Sequence, residues 1–209
     1  MRCTALAGDS KEEIFMSNPK PRRRATETMV LGAILTALVV ILQYLGQFIR
    51  FGPFAISLVL VPIVIGAATC GPKVSTWLGF VFGLVVLLTD AAAFLAISIP
   101  GTVITVLVKG AACGLIAGLV YKMLEKFNRY VAVAVAAIVC PIVNTGIFLL
   151  GCVLFFFETI QSWGMDAGFS GAIEYMFLGL AGGNFLFELA FNLVLSPVIV
   201  RLLRIRARS

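Results

Sequence analysis

Six polar side chains stand out because the sequence around them is almost wholly apolar. Lys109 lies inside "TVITVLVKGAACGLIAGLV", and Asn144 and Thr145 inside "IVCPIVNTGIFLLG". Asn184, Glu188 and Asn192 lie inside "GLAGGNFLFELAFNLVL". An ammonium, a carboxylate and several amides offer charge-assisted and neutral hydrogen bonds. The chain has no histidine. Histidine general bases, Ser-His or Cys-His nucleophiles and histidine-ligated metals are therefore excluded. This chemistry suits recognition of a polar small molecule, with no catalytic residue, metal or cofactor expected.

Spacing draws the groups together. Asn184, Glu188, Asn192 and Ser196 recur every four residues and form one helical stripe. Thr102, Thr105 and Lys109 share a face of another helix. Measured from the outer ends of their spans at 1.5 Å per residue, Lys109 lies roughly 12 Å deep, Asn184 about 13 Å, Asn144 about 19 Å and Glu188 about 20 Å. One layer, somewhat outside the midplane, thus holds Thr105, Lys109, Asn144, Asn184 and Glu188 as candidate substrate contacts. An ionisable group at mid-bilayer costs about 2.5–3.5 kcal/mol and normally faces the bundle interior or a cavity. The structural alternative is a buried Lys109–Glu188 ion pair with the asparagines as interhelical glue; Asn192 fits that role best.

The elements that position these groups must be membrane helices. Of the 209 residues, 61% are hydrophobic and 12% charged, far from the half-apolar, quarter-charged balance of soluble domains. Open sheets cannot cross lipid, and barrel strands are shorter and alternate in polarity. The apolar runs predict six spans: 27–49, 55–70, 74–96, 101–124, 130–157 and 175–203. Pro62 makes the second a candidate for a bend or break. The predicted organisation is a basic tail over 1–25, a six-helix domain over 26–204 and a basic end over 205–209. The tail, ending in "PKPRRR", reads as cytoplasmic rather than as a cleavable leader.

Charge sets the orientation. With the N-terminus inside, Lys73, Lys122, Lys126, Arg129 and both basic ends fall inside, and only Arg50 falls outside. Asp90, Glu158, Asp166 and Glu174 fall in the outer loops. This asymmetry predicts cytoplasmic termini, and clustering of the basic residues beside apolar segments argues against nucleic acid as the partner of the net +6 charge. The longer outer connections suggest lids or a binding mouth on that face, with bland connectors as the alternative.

Other motifs carry less. The five cysteines show no C-x-x-C pair, and four lie in apolar segments as small buried hydrophobes. "GFSG" at 168–171 has no histidine to activate Ser170, and "GPKVST" at 71–76 lacks P-loop spacing. Ala33/Ala37, Gly79/Gly83, Gly110/Gly114/Gly118 and Gly179/Gly183 place small residues on single helix faces, where backbones can approach closely.

The order of "RRRATETMVLGAILTALVV", "FGPFAISLVLVPIVIGAATCGPKVSTWLGFVFGLV", "VLVKGAACGLIAGLVYKML" and "IVCPIVNTGIFLLG" resembles the substrate-binding S components of energy-coupling-factor (ECF) vitamin transporters, over about residues 24–203. The resemblance implies a six-helix, non-enzymatic subunit of the bacterial cell membrane. Such a subunit binds a vitamin near the outer face, mainly through helices four to six, under loop lids, which here would be the segments 47–54 and 91–100 and the loop containing Trp163. It also implies docking on a transmembrane coupling subunit and two cytoplasmic ATPases, through an A-x-x-x-A face that here is Ala33 and Ala37, and toppling of the subunit during transport. A second reading, from the residues alone, is a stand-alone secondary transporter with Glu188 as proton carrier. For a flavin substrate, Tyr44, Phe185, Phe187 or Phe191 would supply stacking; for a carboxylate, Lys109 would supply charge.

Overall fold

The computed structural model describes the backbone of residues 21–48, 50–51, 54–55 and 58–206, and the side chains of 25–48 and 58–201. Cys3, most of the N-terminal tail, the last three residues and parts of the 47–54 segment lie outside the described residues. The elements are α1 (Pro21–Gly46), β1 (Arg50–Phe51), β2 (Phe54–Ala55), α2 (Leu60–Cys70), α3 (Pro72–Thr89) and α4 (Ala92–Leu95). They continue with α5 (Ile99–Leu124), α6 (Arg129–Phe155), α7 (Phe157–Asp166), α8 (Ala172–Glu174), a π-helical stretch (Tyr175–Gly182) and α9 (Gly183–Arg206). β1 and β2 form a two-residue antiparallel ladder between the first two helices.

Five helices among the described residues are long and apolar enough to cross a membrane: α1 over Ala25–Gly46, α3, α5, α6 and the run Ala172–Arg201. The chain is thus a helical membrane protein. The expected span at 55–70 is helical only over Leu60–Cys70. Its 11 residues reach about 16 Å, roughly half of a 30 Å hydrocarbon core. Pro62 does not break it. The proline falls in the first turn, where a missing N–H leaves no intrahelical bond unmade. Gly71, at φ 85°, ends α2 by donating its N–H to Gly66 O (3.1 Å), and Pro72 opens α3. The third expected span stops at Thr89 instead of continuing to 96; Asp90 caps it, and α4 forms a separate turn.

The tightest helix pair is α3 with α5, and small residues cause it. A Cβ on Gly79 would strike the Gly110 carbonyl oxygen, and one on Gly83 would lie 2.7 Å from Val106 O. One on Gly114 would strike Ser75 O. Ser75 Oγ donates to Gly114 O at 2.8 Å across the same seam. Because the obstacle is backbone, no rotamer change relieves it. Gly110→Ala is therefore expected to exceed the ~1–3 kcal/mol of ordinary overpacking. Gly146→Ala, which points into open space, should leave the unfolding midpoint in detergent unchanged. Equal midpoints for the two variants would remove the glycine seam from the packing account. Gly179 behaves differently from its G-x-x-x-G reading: its neighbour is the Tyr175 ring of its own helix.

Two apolar clusters fill the bundle. The larger joins Leu35, Val39, Ile63, Leu78, Phe82 and Ala136 from α1, α2, α3 and α6. The smaller joins Phe94, Cys152, Phe156, Ile160, Met176 and Leu180 at the end carrying α4 and α7. Elsewhere large apolar side chains point outward: Met29, Leu88, Met123 and Val194 are each more than two-thirds exposed, as a lipid-facing surface requires.

Candidate substrate-binding site

Between the two clusters lies a cavity with about 790 Å³ of empty space, counting its open mouth. Thr105, Lys109, Asn144, Asn184 and Glu188 all line it. Asn192 does not; its Nδ2 donates to Glu188 O at 3.1 Å along the helix. The five come from three elements. α5 starts at the N-cap Ser98, whose hydroxyl accepts from Gly101 N (3.3 Å), and the next turns present Thr102, Thr105 and Lys109. α6 presents Asn144 one turn after Pro141, which has no N–H to give to the preceding turn. α9 presents Asn184 and Glu188, and Leu180 and Ala181 of the π-helical stretch line the cavity just before it. The wider π turn is a recurring feature beside functional sites. Pro197, deeper in α9, frees the Leu193 carbonyl, and Ser196 Oγ donates to it at 2.8 Å.

The cavity occupies the end of the bundle opposite Lys73, Lys122, Lys126 and Arg129, which flank the turns at the far ends of α2–α3 and α5–α6. Lys109 Nζ lies 5.1 Å from the Phe148 ring centroid and 5.8 Å from that of Phe82. Both rings offer their π faces to the ammonium. Thr105 and Asn144 are each 5% exposed. Thr105 Oγ1, Asn144 Oδ1 and Asn184 Oδ1 are buried without a hydrogen-bond partner among the described residues. Each such atom costs about 1–3 kcal/mol while unsatisfied. Gln43 Oε1 and Asn192 Oδ1, which do not line the cavity, are unpartnered in the same way.

Several lining residues escaped the sequence reading. Asp90 contributes its carboxylate from the C-terminal cap of α3. Its Oδ2 accepts from Gln43 Nε2 (2.9 Å) and Gln47 Nε2 (2.5 Å) of α1, so the outer end of α1 is tied to the cavity wall. Its place in a loop hid it, although two glutamines four apart near the end of an apolar helix were a usable signal. Aromatic lining comes from Phe94, Phe148 and Phe156. Phe94 on α4 packs edge-on to Phe156 (5.0 Å), Phe148 (5.8 Å) and Trp163 of α7 (5.7 Å). Tyr44, Phe185, Phe187 and Phe191 do not line the cavity; Phe187 and Phe191 stack on each other at 6.0 Å. Among the described residues no cluster of metal-ligating side chains occurs, and Cys70, Cys113, Cys140 and Cys152 are free thiols.

A family model described as "ECF transporter, substrate-specific component" matches residues 27–200. The chain belongs to this family. It is an S component, a substrate-binding subunit of a multi-pass membrane transporter that associates with further ECF components. Members of the family are transport-binding subunits rather than enzymes. No curated protein and no solved structure gives a match.

Proposed function

We propose that this S component captures a vitamin or related micronutrient from outside a bacterial cell and presents it for import driven by ATP hydrolysis on partner subunits. The partners in this reading are a transmembrane coupling subunit and two cytoplasmic ATPases. The chain has six membrane segments and cytoplasmic termini, α2 being the short one. The cavity then opens outward, away from the basic turns, as the positive-inside rule requires. The observation that carries the reading is the convergence of Thr105, Lys109, Asn144, Asn184 and Glu188 on the lining of one cavity. Lys109 donates to an oxygen of the substrate, and the amides fix its orientation in a site of low dielectric. Phe94 and Trp163 form the lid. Mass spectrometry of small molecules released from the purified protein tests this: a retained micronutrient supports it. If nothing is retained and no vitamin binds in detergent, the reading fails.

Glu188 separates this reading from a self-sufficient proton-coupled carrier. Glu188→Gln is expected to leave uptake dependent on the ATPases and indifferent to collapse of the proton gradient. Uptake by the chain alone, driven by a proton gradient and lost in the variant, would reverse the assignment.

A further inference from the structure

Lys109 is seated by rings from two other helices. Its Nζ lies 5.8 Å from the ring centroid of Phe82 on α3 and 5.1 Å from that of Phe148 on α6. Both distances fall within the roughly 6 Å over which a ring quadrupole attracts a cation. The two rings are anchored in different parts of the bundle. Phe82 is fully buried in the larger apolar cluster. Phe148 packs against the smaller one, with Phe94 edge-on to it at 5.8 Å.

The backbone sets this spacing. Phe82 stands between Gly79 and Gly83, the glycines that bring α3 against Gly110 and Val106 on either side of Lys109. A lysine stem is otherwise long and mobile, and in a membrane it tends to snorkel toward water. A ring attracts the whole charge and takes up no N–H, whereas a protein carbonyl or carboxylate would occupy donors. Seating by rings therefore holds the charge in place without spending its N–H groups. Phe148 lines the cavity, but Phe82 does not, so an effect of Phe82 on binding has to pass through a neighbour.

We infer that Phe82 and Phe148 are positioning residues of the substrate site, an aromatic clamp that holds the Lys109 ammonium where a substrate oxygen meets it. This rests on the reading of Lys109 as a substrate contact.

The full chain in detergent provides the test. The probe is whichever of riboflavin, thiamine, pyridoxamine, pantothenate and biotin most raises its unfolding midpoint, and its affinity is titrated calorimetrically. Phe82→Leu keeps an apolar side chain without a ring. It is expected to weaken binding roughly threefold or more, and to add no further loss to Lys109→Met. A purely structural role for Phe82 would lower affinity in both backgrounds. That result overturns the inference, as does unchanged affinity in folded Phe82→Leu. Where Phe82→Leu does not fold, or Lys109→Met binds too weakly to titrate, the partly buried Phe148 decides. Phe148→Tyr keeps the ring and should retain clearly more affinity than Phe148→Leu; equal affinities overturn the clamp. Binding lost in Lys109→Met but not in the ring variants overturns the clamp alone and leaves Lys109 in the site. Unchanged binding in Lys109→Met, or no stabilisation by any of the five probes, overturns the underlying reading and the clamp with it.

Discussion

Lys109→Met is expected to weaken substrate binding at least tenfold, which is about 1.4 kcal/mol or more. Methionine matches the lysine stem in length, and its thioether keeps favourable contact with the Phe82 and Phe148 rings that now flank the ammonium. The fold should therefore survive, and the variant should elute as the same monodisperse species in detergent. What disappears is a hydrogen bond from a charged donor, worth about 1.5–3 kcal/mol. Titration of the co-purifying ligand, followed calorimetrically, reads the loss directly. The competing role for Lys109 gives a different result. If its main task were to neutralise Glu188, removal would strand a buried carboxylate at a cost of about 3–5 kcal/mol. Folded protein would then be lost, and Lys109→Met/Glu188→Gln would restore it. Recovery of folded single variant with unchanged affinity would place Lys109 outside the site.

The candidate site was legible to the extent that membrane insertion penalises polarity. A lysine, a glutamate and asparagines inside apolar runs are costly, so their presence marks a reason to be there. Helical periodicity then puts Glu188 below Asn184 and Lys109 below Thr105. Those inferences needed only local geometry, and the residues line one cavity. Asp90 was not legible in the same way. In a loop a carboxylate carries no insertion penalty, and its place in the cavity wall follows from α3 ending at Thr89 and from α1 delivering Gln43 and Gln47 to it. The aromatic lining failed for a related reason. Phenylalanines are common throughout the spans, and which of them faces inward depends on helix phase. Phe187 and Phe191, four apart on α9, stack on each other, while Phe94 of α4 and Phe148 of α6 line the cavity. The second span already read as short, and only its start was misplaced, because the apolar run begins before Leu60. The glycine pairs on α3 and α5 were readable as a close seam, but identical spacing at Gly179 and Gly183 was not a seam. A small-residue pattern shows where backbones can meet, not where they do.

Bulky residues at the small face of α1 are expected to abolish uptake while sparing binding. α1 buries Gly32, Leu35, Val39 and Gln43 against the bundle, and Ala33 and Ala37 lie exposed on another face. One turn apart, they form a shallow groove on a helix that is otherwise studded with exposed Met29, Val30, Ile34 and Ile41. A partner helix can approach there more closely than anywhere along the flanking large side chains. Ala33→Trp/Ala37→Trp places apolar bulk toward lipid and should therefore leave folding intact. Leu88→Trp on α3, at a position already occupied by a large exposed side chain, is the control for added bulk alone. Ligand affinity in detergent should match the wild type for both, because neither site lines the cavity. Uptake by the reconstituted transporter should fall to background for the α1 variant and stay near wild type for the control. Uptake that survives in the α1 variant would move the docking surface to another helix. Binding lost along with uptake would mean something else: α1 would be acting on the cavity through Gln43, Gln47 and Asp90, the hydrogen bonds that join its outer end to the cavity wall.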